Sequence, residues 1–151
     1  MSAGLPFFSE QDRLSKLIQA AAGWRGTPFA ANSCSRGHGV SCQFLAADLY
    51  REAGHCDVQP PQVDMAHAQF SAVSLVEPWM DEQEAFESIE PRLAIPGDLL
   101  GFRLGKACHH LGVLLHPGVF IHSVAPAGVA LSSLADATWR GRLVRAWRPV
   151  A

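Results

Sequence analysis

Gly39 to Gly54 reads GVSCQFLAADLYREAG, and the fold is decided in this stretch. A glycine-rich loop, Ser35-Arg36-Gly37-His38-Gly39, delivers a cysteine to the start of a helix that ends in glycine. Leu45, Leu49 and Ala53 fall at helical spacing with Ala46 and Tyr50 beside them, and Gly54 supplies a C-terminal cap. Cys42 therefore falls in the first helical turn, where free N–H groups and the helix dipole favour a thiolate. A small hydrophobe at a helix start is the plainer account of any single cysteine. Its reactivity depends on what the rest of the chain brings to it.

Upstream, Ser9-Glu10-Gln11-Asp12 reads as a capping box, followed by an apolar stripe of Leu14, Leu17, Ile18 and Ala21 that runs to Gly23. Trp24 to Phe29 is a turn and Ala30 to Gly39 a polar loop. Downstream of Pro60-Pro61, Val63 to Phe70 reads as a short helix and Met80 to Ser88 as an acidic, weakly helical run. Pro91 to Gly97 is a proline-punctuated connector. From Asp98 the period becomes that of strands: Asp98–Arg103, His110–Leu115, Val119–Ser123, Val129–Ser132 and Leu143–Arg148, the second and third joined at hairpin length by His116-Pro117-Gly118. Helices lead and antiparallel strands follow, an α+β plan. The length suits one domain over residues 1–151.

The composition, 48% hydrophobic and 17% charged, excludes disordered and fibrous classes. A net charge of -2 gives no electrostatic case for nucleic acid or an anionic membrane. Arg140, Arg142, Arg145 and Arg148 suit one face of a strand, or a solvated edge that discourages pairing. The N-terminal MSAGLPFFSEQDRL lacks a basic start and a long apolar run, and no segment approaches the roughly 20 apolar residues of a membrane span. The expectation is a cytoplasmic protein, or one exported by another route. Cys34, Cys42, Cys56 and Cys108 show no C-x-x-C spacing and read as thiols.

A cysteine nucleophile needs a base within reach, and the base needs a partner that orients it. His110 opens one strand and His122 lies near the end of the next, across the Pro117-Gly118 turn. Paired as a hairpin, they lie near one end of it, and their even separation suits one sheet face provided no bulge intervenes. One imidazole can then take the Cys42 proton while the other fixes its tautomer.

Here the chain resembles the NlpC/p60 cysteine peptidases, a papain-like group known for cutting peptidoglycan stem peptides. Gly26-Thr27-Pro28-Phe29 resembles the family's GTPY. Gly39-Val40-Ser41-Cys42 with Gly54 resembles its nucleophile helix, and Pro96-Gly97-Asp98-Leu99-Leu100-Gly101-Phe102 its PGDL entry into the sheet. His110-Leu111-Gly112-Val113 and Phe120-Ile121-His122-Ser123 resemble the strands carrying the catalytic histidine and the third polar residue. The resemblance implies the papain-like α+β fold, with helices packed on a mostly antiparallel sheet or half-barrel. It implies Cys42 as nucleophile, His110 as base and His122 as its orienter, with no cofactor. The implied substrate is a peptide amide of the γ-D-Glu–diamino acid class, such as a murein stem peptide, or a related small amide.

The departures fall on the substrate side. Phe29 lacks the family tyrosine's hydroxyl, Ser41 replaces an aspartate, and Gln43-Phe44 replaces Ser-Gly and adds bulk beside the cleft. Phe29, Ser41, Gln43 and Phe44 are thus the candidate substrate contacts, and the altered set implies no requirement for a free L-Ala-γ-D-Glu terminus. Cys108-His109-His110 is the one clustered set of potential metal ligands, but adjacent strand residues point to opposite faces, so no metal is expected and His109 points away from His110. His55, His67 and His116 read as surface residues, and Asp98 as a turn cap. The rival from another class is a catalytically silent binding or assembly module on the same scaffold, associated with phage tails or secretion.

Overall fold

The computed structural model describes residues 4–151; the first three residues of MSAGLPFFSEQDRL, the stretch without a basic start, lie outside them. A 3-10 turn at Phe7–Ser9 leads into α1 (Gln11–Trp24). A minimal hairpin of β1 (Cys34–Ser35) and β2 (Gly39–Val40) then feeds α2 (Cys42–Glu52). Two short helices, α3 (Met65–Phe70) and α4 (Val76–Asp81), precede β3 (Phe86–Ile89). A meander follows of β4 (Leu99–Leu104), β5 (Ala107–His116), β6 (Val119–Val124) and β7 (Gly128–Ser133). It gives way to α5 (Ala137–Arg142) and β8 (Leu143–Pro149).

The second sheet is open, in the order β3-β8-β4-β5-β6-β7, with every neighbouring pair antiparallel. Alternation along β5 sends Leu111, Val113 and Leu115 into the main core, where they meet Leu17 of α1 and Leu45 and Leu49 of α2. Leu114, on the opposite face, joins Leu100, Phe102 and Phe120 in a smaller cluster covered by Trp139 of α5. The sheet is therefore buried on both faces. That explains why the β5 sequence is a nearly continuous apolar run.

Four local readings change. The Ser9 hydroxyl donates to the Pro6 carbonyl at 2.8 Å, inside the 3-10 turn, so no capping box forms and α1 begins after Glu10 without a side-chain cap. The acidic run Met80–Ser88 stays helical only to Asp81, because Phe86–Ile89 gains a full backbone ladder on β8. The loop Ala30–Gly39 folds into the β1–β2 hairpin. The C-terminal arginines do not mark an edge. Arg140 and Arg142 lie in α5, while β8 sits between β3 and β4, with Arg145 paired to Glu77 and Asp81 of α4.

The register of β5 on β6 decides where the histidines go. A two-residue turn pairs His116 with Val119, three positions apart. Continued without interruption, that register sets paired residues an odd number apart and puts His110 and His122 on opposite faces. A bulge at Leu115 slips the register, so Leu114 pairs with Phe120 and Val113 with Ile121. Paired residues now differ by an even number, and the two histidines share a face. The bulge that the sequence argument needed to be absent is what makes the pairing work.

Asp98 holds the entry to β4. Its carboxylate accepts from the Ile95 N–H at 2.8 Å and from both Nε and Nη2 of Arg148 on β8, and it is 2% exposed. Burial, the largest influence on this carboxyl, raises its pKa despite the arginine. Arg148→Met should therefore lower stability by about 3–5 kcal/mol in urea unfolding by stranding a buried carboxylate, and Asp98→Asn in the same chain should recover part of that loss.

Candidate active site

Cys42 is the first residue of α2, and α2 packs against β5. The backbone N–H groups of Leu111, Gln43 and Cys42 itself favour its thiolate form. The thiol has the His109 carbonyl at 4.0 Å and Gln43 Oε1 at 3.6 Å as acceptors. Opposite lies the Gly26–Phe29 segment, stitched between β2 and β7. Gly26 N–H donates to the Val129 carbonyl at 3.2 Å, Val129 N–H to Thr27 at 2.8 Å, and Val40 N–H to Pro28 at 3.0 Å. Gly128 permits this approach, because a Cβ there would lie 2.5 Å from the Thr27 carbonyl oxygen and its φ is +77°. These bonds set Phe29 in the wall of a cleft of about 180 Å³ that Cys42 and His110 also line.

His110 Nε2 lies 2.7 Å from His122 Nδ1, and His122 Nε2 lies 2.8 Å from the Ser132 hydroxyl on β7. Nδ1 is thus the His110 nitrogen not committed to His122. Trp139 covers the pair, its ring 5.6 Å from His110 and 4.8 Å edge-on from His122. Phe102 and Phe120 close the same side.

This burial sets the charge states. It lowers the His110 pKa to about 3, helped by His122 and Arg142, and the His122 pKa to about 4. It pushes the Cys42 thiol up to about 11, outweighing the N–H groups that favour the thiolate. The helix start alone predicts a resting thiolate; the folded cleft instead is lined by a neutral thiol and a neutral imidazole. The sulfur's low exposure, invisible in the sequence, is the reason.

Of the remaining candidates, Phe29, Ser41 and Gln43 line the cleft. The Gln43 amide is fully engaged, donating to Asn32 Oδ1 at 3.2 Å and to the Pro61 carbonyl at 3.1 Å, so it ties the loop before α3 to the site. Phe44 does not reach the cleft. One position further round α2, it borders a separate depression with Cys34, Asp48 and Arg51. His109 does the reverse of what strand alternation implies. A second bulge, where β4 pairs Phe102 with His110 and Arg103 with Cys108, turns it into the cleft, buried, with Nε2 2.8 Å from the Ser71 carbonyl. His55 is half-buried in an aromatic cage of Phe7, Tyr50 and Phe86. Ser132 and Trp139 carry no motif or spacing that would have marked them. No group of three or more metal-ligating side chains converges among the described residues.

The model of the NlpC/P60 family matches residues 26–148. The chain is 24% identical over 137 residues to a protein of Escherichia coli strain K12 named murein DD-endopeptidase MepS/murein LD-carboxypeptidase. That alignment covers 91% of this chain and 63% of that protein, so the chain spans under two thirds of its curated relative. Its fold is similar to that of a lipoprotein-like NLP/P60 family protein of Staphylococcus aureus (TM-score 0.69, 20% identity, covering 100% of this chain and 45% of the other). It is also similar to the NlpC/p60 domain of the peptidoglycan hydrolase SagA (TM-score 0.63, 19% identity, 91% and 97%). A third likeness is to the peptidoglycan hydrolase RipB of Mycobacterium tuberculosis (TM-score 0.61, 19% identity, 97% and 69%).

Two outcomes follow from the buried histidines. Because their folded pKa values lie below the ordinary 6.5, the unfolded chain binds protons first as pH falls. Stability should therefore be lost from about pH 6.5 downward, by up to about 1.4 kcal/mol per pH unit for each histidine until its folded pKa is reached. Urea midpoints measured from pH 7.5 to 4.5 should show this slope, reduced in His110→Gln/His122→Asn. Trp139→Ala should expose the pair and raise both pKa values toward 6.5, read by NMR titration of the imidazole carbons.

Proposed function

Since the chain belongs to the NlpC/P60 family, we propose that it is a cysteine amidohydrolase that cleaves an amide bond of peptidoglycan-type peptides. The observation that carries this reading is the His110–His122 bond of 2.7 Å in a site that also holds Cys42 at a helix N-terminus. The match to a protein named as a murein endopeptidase adds to it.

The mechanism follows from the tautomers. With His110 Nε2–H donating to His122 Nδ1, and His122 Nε2–H donating to Ser132 Oγ, the His110 Nδ1 lone pair is free. Nδ1 takes the Cys42 proton as the sulfur attacks the scissile carbonyl carbon. The oxyanion is met by the Cys42 N–H, which as the first helical residue has no intrahelical acceptor. Collapse breaks the C–N bond, and His110 returns the proton to the departing amine, leaving a thioester on Cys42. His110 then deprotonates water, which hydrolyses the thioester and releases the acid and the thiol. A base already neutral at rest is ready for the first step. The imidazolium it becomes is supported by His122 and, through it, by Ser132.

The second reading, a silent binding module, draws on Phe29, which offers no hydroxyl to the oxyanion, and on a resting thiol near pKa 11. Mass spectrometry of purified muropeptides and simple amides incubated with the protein separates the two. We expect bond cleavage by the wild type, none by Cys42→Ser, and a loss of about 10²–10⁴-fold in His110→Ala. Intact binding of muropeptides with no Cys42-dependent cleavage would favour the module.

Ser132→Ala should lower kcat several-fold with little change in KM, because it touches only the back of the relay. It should also shift the pH dependence of kcat, which a purely structural loss would leave in place.

A further inference from the structure

One wall of the cleft is built differently from the others. The Phe29 segment, α2 and β5 belong to the core or are stitched to it by backbone bonds. Val63, Met65 and Ala68 come instead from a strap, residues 62–73, that carries α3. No residue of α3 is buried, and Met65, Phe70 and Val73 each turn more than half of their surface to solvent. The strap is bonded within itself. Asp64 Oδ1 accepts from the His67 N–H at the start of α3, and His67 Nε2–H donates to the Val73 carbonyl at 2.7 Å. A segment bonded internally that buries little apolar surface is the kind that opens as one unit at low cost.

Its ties to the body lie at its two ends. Before α3, Asn32 holds the Val63 backbone twice, Nδ2 donating to the carbonyl at 3.2 Å and Oδ1 accepting from the N–H at 2.8 Å. Gln43 reaches the neighbouring Pro61 carbonyl at 3.1 Å. After α3, His109 Nε2–H donates to the Ser71 carbonyl at 2.8 Å. Ser74 already belongs to the body, its hydroxyl donating to the Cys108 carbonyl and accepting from the Glu77 N–H of α4. His109 is buried, lines the cleft and meets the His67 ring edge-on at 5.5 Å.

With the strap in place, Cys42 is 8% and His110 3% exposed. The cleft of about 180 Å³ is little larger than engineered cavities of about 150 Å³ that hold a benzene ring. It takes one side chain, whereas a scissile amide with a residue on each side needs more room. The strap is the wall that can leave without opening the core. We propose that residues 62–73 form a gate over Cys42, and that His109 is a positioning residue that latches it shut through Ser71. The cysteine-hydrolase reading enters only in what passes the gate; access to the Cys42 sulfur is a property of the fold.

Alkylation of Cys42 in the full chain reads the gate without turnover. Iodoacetamide is the small probe and fluorescein-5-maleimide the bulky one, and peptide mass spectrometry gives the rate at each cysteine. Iodoacetamide fits the closed cleft and reports the reactivity of the thiol; the maleimide needs the strap lifted. His109→Leu should raise the maleimide rate at Cys42 about fivefold, the worth of one neutral hydrogen bond, and leave the iodoacetamide rate unchanged. His109→Gln, which keeps an N–H at similar reach, should restore the wild-type rate. Asn32→Gly frees the other end and suits the φ of 54° at that position, so it should also raise the maleimide rate. Exposed Cys34 and buried Cys108 are the controls. An unchanged maleimide rate in His109→Leu, no recovery in His109→Gln, or an equal rise at Cys108, the sign of a loosened core, would overturn the gate. In parallel, wild type and Cys42→Ser are incubated with muropeptides. Gated labelling without Cys42-dependent cleavage would sink the hydrolase reading and leave the gate standing. Cleavage with ungated labelling would do the reverse.

Discussion

The register slip at Leu115 is the constraint on which the site depends, because it decides which face of β6 meets which face of β5. A side chain in a sheet has only two directions, so a one-residue slip is an all-or-nothing change. With it, His122 stands behind His110; Trp139 packs on both rings, Phe102 on His110 and Phe120 on His122. Without it, His122 would face the main core beside α2, and His110 would lose its partner. The bulge at His109 acts in the same way on the other edge of β5, turning a second imidazole toward the cleft. Irregular pairing at both ends of one strand thus assembles the chemistry, while its regular middle, Leu111 to Leu114, builds the core on both faces.

Burial then governs how those groups behave. Trp139, Phe102 and Phe120 exclude water from the imidazoles, and desolvation outweighs the helix terminus at the thiol. The resting state is neutral on both groups, which suits the role of base proposed for His110. Among the described residues, no Asp, Glu, Lys or Arg lines the cleft.

Much of this was legible in the residues. The helix from Cys42, its glycine end, the strand meander and the hairpin around Pro117-Gly118 all follow from period and turn chemistry. The β3 strand was not, because Phe86–Ile89 becomes a strand through pairing with β8 and not through its own preference. Phe44 reads as a neighbour of the nucleophile in sequence, yet the helical turn carries it to another surface. Ser132 lies in a short strand with nothing local to mark it, and only the β6–β7 register brings it to His122.

The sequence by itself determined the kinds of element, their order, and the identity of the thiol and the two imidazoles, since these depend on local periodicity and on side-chain chemistry. Tertiary structure alone decided that the imidazoles share a face, that Trp139 and Ser132 complete their surroundings, and that thiol and base rest uncharged. Register, bulges and desolvation are properties of pairs and surfaces, and no single stretch of chain contains them.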